Sequence, residues 1–338
     1  MPLLLLWGAT GCPANHARPN ASAEATGSAP PASPRSVSSP GSRLLTFEGS
    51  CDASGAIELD AHRVLVADDE NDVLRIYDVD RGGRATLELM PNWNLGGEGD
   101  TESDLEASTL LGDLAFFLSS HGLTSKGIRD PERLLLFAAR VPPEAGRLQL
   151  VGQPYRSLLD DLVSDPRLAR FGLAEAAQRA PKEPGGLNLE GLTVSAEGGL
   201  LVGFRSPVPE GRALIVGISN PHAVLEGKRA VLTEAKLLDL GGLGIRALSR
   251  WRGRLLVLAG PTGEGGPFRL FQEMEGALRP IDVDLTGLGA EALYAHDTRD
   301  EVLVLSDDGA RVIEGKRCKK LKDPHLKRFR GLWVKVPQ

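Results

Sequence analysis

The sequence predicts an all-β fold, a β-propeller of four-stranded antiparallel blades, and three observations carry that prediction. Five segments repeat one layout: a polar residue, a short apolar strand, a Gly or Asp turn, then a strongly apolar strand. A third apolar strand follows each copy and a fourth follows most, and repeated four-stranded antiparallel units are the mark of propeller blades. The 40 glycines and 23 prolines favour short strands and tight turns over long helices.

The copies open at Cys51, Asp104, Asn188, Gly244 and Gly289. Their second strands are Val64–Ala67, Leu114–Leu118, Leu200–Gly203, Leu255–Leu258 and Val302–Leu305. Third strands are expected at Val73–Tyr77, Leu134–Ala138, Ala213–Val216, Phe268–Phe271 and Ala310–Ile313, with fourth strands at Ala85–Met90, Leu148–Val151, Lys236–Leu240 and Ile281–Leu285. These runs need not alternate, because neighbouring blades cover both faces of a blade. A parallel α/β sheet would give similar runs but needs crossovers of about a dozen residues. The eight Pro- and Gly-rich residues between Phe204 and Ala213 leave no space for one. The second and third copies open 84 residues apart, and helical composition at Tyr155–Leu162 and Leu173–Arg179 predicts a small helical insertion over about 154–182. Five blades are visible and six are possible. Leu44–Phe47 or Leu332–Val336 would supply the strand that closes the ring.

Residues 1–12 resemble a bacterial lipoprotein signal: Leu3–Leu6 is apolar, small residues follow, and Cys12 would be the lipidated residue. No Lys or Arg precedes the apolar run, and Ala9 stands where that pattern prefers Leu. Residues 13–43, rich in Ala, Ser and Pro, cannot offset the entropy of ordering and read as a tether. The remainder, 44–338, is expected to form one propeller domain. An exported, lipid-anchored envelope protein follows, touching the membrane only through Cys12, since no apolar run reaches the ~18 residues of a span. Cys51 in the first blade and Cys318 in the last would be neighbours in a ring, where a disulfide would clasp its closure in an oxidising compartment.

Net charge is −6, yet Lys316–Arg330 holds eight Lys and Arg against Asp323 alone. An acidic body with a basic tail excludes general nucleic-acid binding, and the tail reads as a solvated loop that could also meet anionic lipid or wall polymer. A monomer is expected.

Propeller geometry selects a face. The loop leading into each innermost strand and the loop leaving the second strand open on the same side, around the central channel. The first set brings Asp52, Glu106, Glu190, Arg246 and Glu291, with Asn188 just before Glu190. The second brings Asp68, Asp69, Glu70, Ser120, His121, Arg205, Asp307 and Asp308. Carboxylates converging from several blades suit a hard cation such as Ca²⁺, held by Asp52, Glu106, Glu190 and Glu291. Arg205 and Arg246 either pair with these acids or bind an anionic ligand beside Asn188, Asp68, Asp69 and Ser120. His121 is the one histidine placed for acid–base work, with Glu190 as its partner in a catalytic reading. Asp307-Asp308-Gly309 also reads simply as a turn. Gly242–Ala247 imitates a dinucleotide fingerprint, but the next strand arrives before the required helix, so no nucleotide cofactor is expected.

Cys51–Ser54, Val66–Asn71, Ser119–Gly122, Pro184–Leu192 and Leu240–Arg246 resemble, in order over roughly residues 50–315, the bacterial family of unknown function DUF3616. That resemblance implies a distant likeness to phytase-like or esterase-like propellers and no assigned activity. The expected function is therefore binding of a divalent cation and a small polar or anionic ligand in an acidic funnel. Metal-assisted ester or phosphoester hydrolysis and a non-catalytic envelope scaffold are the alternatives.

Overall fold

The computed structural model describes residues 43–68, 72–89, 103–144 and 147–338, all within the unit Ser38–Gln338. The leader, Cys12, the tether up to residue 42, and Asp69 lie outside the described residues. Arg43, expected in the tether, begins a strand.

Five sheets built from antiparallel strands follow one another around a ring, the fifth edged by the short strand Gly83–Arg84, which pairs parallel to Arg43–Glu48. Blade one holds Gly55–Glu58, Arg63–Ala67, Leu74–Asp78 and Leu87–Leu89. Blade two holds Leu105–Leu111, Leu114–Ser119, Leu136–Glu144 and Arg147–Tyr155. Blade three holds Asn188–Val194, Leu200–Ser206, Ala213–Ile218 and Lys236–Leu238, and blade four Gly244–Trp251, Arg254–Gly260, Arg269–Met274 and Ala277–Ile281. Blade five begins with Ala290–Tyr294 and Glu301–Ser306. Its third strand is Arg328–Lys335 and its fourth is Arg43–Glu48, so both segments expected to close the ring do so side by side. Five blades, not six, complete the ring among the described residues.

Each pair of neighbouring blades shares one apolar layer, and together these layers are the core. Phe117 and Phe137 lie between blades one and two, Ile245 and Val257 between three and four, and Phe329 and Trp333 between five and one. This explains the uninterrupted apolar strands: Leu114–Ser119 and Ala213–Ile218 are buried at every residue. The insertion forms short helices at Leu158–Ser164 and Leu173–Ala176, whose Leu158, Leu162 and Leu173 extend the layer between blades two and three. No helix among the described residues is long and apolar enough to cross a membrane.

Two strands differ from expectation for physical reasons. Ala310–Ile313 is not the third strand of blade five: Arg311 and Val312 are exposed, whereas Phe329, Trp333 and Val334 supply the buried faces a middle strand needs. Val312–Ile313 instead pairs with Lys316–Arg317 in a small hairpin. In blade four the last strand is Ala277–Ile281 rather than Ile281–Leu285. Glu275 and Gly276, at φ 52° and 76°, form a two-residue hairpin turn that starts the strand at once.

At the end of the inner strand Gly55–Glu58, burial and the nearby Asp297 push Glu58 up to about 7, and its Oε2 has no hydrogen-bond partner among the described residues. A carboxyl raised in the folded state contributes stability that is complete below the ordinary carboxylate range and gone once pH passes 7. Glu58→Gln is therefore expected to stabilise the protein at pH 8.5 by about 1–2 kcal/mol, allowing for solvent at this part-exposed site, and to change little at pH 4.5. Denaturant unfolding at the two pH values checks this; equal shifts at both would contradict it.

Candidate functional site

The innermost strands of blades two to five all carry a bulge at the same place. Register skips one residue between Leu105 and Ala107, Leu189 and Gly191, Ile245 and Ala247, and Ala290 and Ala292. The residues passed over are Glu106, Glu190, Arg246 and Glu291. A bulge leaves its extra residue out of the ladder and re-aims the side chain, here toward the channel mouth. Asp52-Ala53 occupies the corresponding stretch before the inner strand of blade one. The small residue after each charge lets the blades close up: a Cβ on Gly191 would meet Ile245 Cγ2 at 2.8 Å. At Gly244 the approach is closer still, with a Cβ 1.9 Å from the Arg205 carbonyl oxygen.

Below this ring the channel narrows to a cavity of about 10 Å³ among Ser54, Ser108, Leu192 and Leu293, space for about one water. Above it opens a funnel of about 1060 Å³. Glu106 and Glu190 border both.

Glu190 is the hub of the floor. Its Oε1 accepts from Arg205 Nη1 at 2.7 Å and from Asn188 Nδ2 at 2.7 Å, and its Oε2 lies 3.1 Å from Arg246 Nε. Arg246 reaches on to Glu291, bridging blades three and five. Arg205 also donates to the carbonyls of Pro261 and Gly263, at 3.3 and 3.4 Å, which ties the Gly-rich loop of blade four to the floor. Glu106 has no such partner among the described residues. It borders the channel but is enclosed by protein, and burial, reinforced by Glu190 and Asp104, holds its carboxyl well above the usual carboxylate range despite Arg246 and Arg205. Asp104, paired with Arg133 at 2.7 Å, and Asp307 are raised too, chiefly by burial.

Of the four expected cation ligands, only Asp52 and Glu291 come together. Their third companion is Asp307: one carboxylate oxygen from each lies within 4.8 Å of the others. Glu190 is committed to the arginines, and Glu106 stands outside this group. Arg205, Arg246 and Asn188 do line the funnel. Asp68 does not: it is buried behind the wall against Arg75, 3.2 Å away, and Ser50. Ser120 is buried as well, and its hydroxyl supports the Asp104 carboxyl and accepts from the Gly122 N–H.

His121 is not placed for the acid–base role expected of it. It is 1% exposed, lies off the funnel wall, and its Nδ1–H donates to the Ser119 carbonyl at 2.8 Å. Burial pulls it down to about 4, so it is neutral through the range where a histidine would normally switch.

Nor is the funnel acidic. Nine Lys and Arg border it against seven Asp and Glu. The excess comes from the basic tail: Arg317, Lys319, Lys320 and Arg330, with Arg311 ahead of them, form one lip of the funnel, and Arg317, Lys319 and Lys320 are exposed to solvent there. Cys318 is disulfide-bonded to Cys51, and Arg330 grips both oxygens of Asp308 at 2.7 and 2.6 Å. Composition hid this. The only sequence signal was the pair of cysteines.

Residues 138–284 match the model of one protein family. It is the family of unknown function DUF3616. The matched stretch runs from blade two to blade four and includes Asn188, Glu190, Arg205 and Arg246. No curated protein matches the chain. Solved structures similar to it include an exo-β-1,3-galactanase from Phanerochaete chrysosporium, at 9% identity and TM-score 0.45, covering 86% of this chain; the chain spans 60% of that protein. The PQQ-bound aldose sugar dehydrogenase of Streptomyces coelicolor is 11% identical, with 88% and 99% of the two chains covered and TM-score 0.44. Myxococcus xanthus glutaminyl cyclase is 10% identical, with 88% and 97% covered and TM-score 0.45.

Proposed function

We propose that this propeller binds a small anionic ligand in its funnel, carrying phosphate or carboxylate, with a divalent cation such as Ca²⁺ at Asp52, Glu291 and Asp307. The observation that carries the reading is the balance of charge on the wall. Arg317, Lys319 and Lys320 are exposed and have no ion-pair partner among the described residues. Apart from the Asp52, Glu291 and Asp307 group, the carboxylates are either taken by cations, as Glu190, Asp104 and Asp308 are, or raised toward protonation, as Glu106 is. A wall with spare cations and spent acids favours an anion. Three convergent carboxylate oxygens suit a hard cation, which would also relieve their mutual repulsion.

The disulfide supports the exported placement, since such bonds persist in oxidising compartments. A hydrolytic reading has one observation in its favour: Glu106, without an ion-pair partner among the described residues and raised above the usual carboxylate range, is the kind of carboxyl that can serve as a general acid. A screen of phosphate and carboxylate esters, with Glu106→Gln as control, tests it.

Calorimetric titration with inorganic phosphate and with citrate, with and without Ca²⁺, tests the main reading. Binding of at least one anion is expected, with Ca²⁺ binding lost in Asp307→Asn. No heat from either anion up to about 10 mM, where even a 1 mM site would be well filled, would end the anion reading.

A further inference from the structure

The segment between the second and third strands of blade five, 307–327, is the longest such connection in the ring, where blade three uses only 207–212. Backbone bonds and short turns, rather than long strands, hold it in shape. Its strands are two residues long, and its apolar anchor is Cys318 and Leu321 with the flanking Ile313 and Leu326. Long loops kept in a compact domain commonly carry function.

The ring does not need the disulfide for closure. Strand pairing from Arg43↔Trp333 to Glu48↔Arg328, and from Glu301↔Lys335 to Leu305↔Gly331, already joins the two ends of the chain. The bond lies elsewhere: Cys51 precedes the inner strand of blade one, and Cys318 sits between Arg317 and Lys319. Both sulfurs are buried, while Arg317, Lys319 and Lys320 are exposed on the funnel side. Backbone bonds set the same geometry, from Lys319 N to Gly309 O at 3.1 Å and from Asp308 N to Cys51 O at 2.8 Å.

We infer that Arg317, Lys319 and Lys320 form an outer anion subsite and that the Cys51–Cys318 bond is the positioning element that holds it at the mouth. This rests on the anion-binding reading above and names its ligand class. Three cations within four residues, none in an ion pair with a carboxylate among the described residues, match a ligand bearing several anionic groups better than a single monoanion. The bond removes the freedom that a loop without its own core would otherwise spend on closing over the ligand.

The test compares inorganic phosphate with tripolyphosphate on the full chain at low ionic strength. Wild type is expected to prefer tripolyphosphate by about ten-fold or more, the order three exposed ion pairs can supply. Arg317→Gln with Lys319→Gln and Lys320→Gln should remove that preference, weakening tripolyphosphate by about ten-fold more than it weakens phosphate. Cys51→Ser with Cys318→Ser should reduce the preference and speed amide exchange in 309–327 while leaving the blade strands protected. Absence of any anion binding by wild type would fail the underlying reading and this one with it. Phosphate binding without a tripolyphosphate preference, or a preference untouched by the triple substitution, would overturn the subsite alone. If the double cysteine variant keeps both the preference and slow exchange in 309–327, the positioning role falls. Should that variant fail to fold, Cys51→Ala with Cys318→Val, which keeps the small apolar cluster, gives the same readouts.

Discussion

Replacing Arg246 with methionine is expected to cost about 3–5 kcal/mol, which in a domain of this size lowers Tm by about 10 °C. Arg246 is 5% exposed and is shared by two blades' carboxylates, Glu190 and Glu291. Methionine fills similar space, so the loss isolates the charge. Its two partners would not suffer equally. Glu190 keeps Arg205 and Asn188. Glu291 is left facing Asp52 and Asp307 with no cation between them. Adding Glu291→Gln to Arg246→Met should therefore recover about 1–3 kcal/mol, more than adding Glu190→Gln does. Ca²⁺ should also rescue the single variant in part, because a cation at the three carboxylates does what Arg246 did. A Tm change below about 2 °C would mean that water, not Arg246, screens these acids.

That asymmetry shows what could and could not be read from sequence. The blades were legible because each is local, four strands drawn from one stretch, buried on both faces and therefore apolar throughout. The positions leading into the inner strands were legible for the same reason: Glu106, Glu190, Arg246 and Glu291 recur at one place in each copy, and the bulges set all four at the channel mouth. Their partners were not. Glu106 and Glu190 are equivalent in the repeat, yet one is unpaired and the other holds two arginines, because Arg205 and Arg246 come from blades three and four and lie on Glu190's side. Blade five failed locally, since half its sheet comes from residues 43–48 and 328–335 at opposite ends of the chain. The place of the basic run at the funnel lip was not legible, because a long-range bond and the Asp308–Arg330 pair set it there.

The same difference between equivalent residues sets the pH dependence of binding. Glu106 is held above the usual carboxylate range by burial first, then by Glu190 and Asp104, with Arg246 and Arg205 pulling the other way. Protonated, it is a neutral donor at the funnel floor; ionised, it adds a negative charge beneath the ligand. Anion affinity is therefore expected to fall as pH rises through its raised pKa, by about ten-fold for a single carboxylate at short range in this setting. His121 cannot produce such a change, because it is already neutral above about 4. Glu106→Gln keeps the donor and removes the charge, so it should lose the part of the pH dependence that exceeds phosphate's own ionisation. Stability moves in a linked direction. A carboxyl raised on folding gives stability that is present at low pH and lost as pH passes its folded pKa, so Glu106→Gln should gain Tm over wild type only toward the alkaline end. Phosphate titrations and thermal unfolding at matched pH values separate the possibilities. If the glutamine variant keeps the wild-type slope of affinity against pH, the titrating group is Asp104 or Asp307, both also raised, and the floor donor is not Glu106.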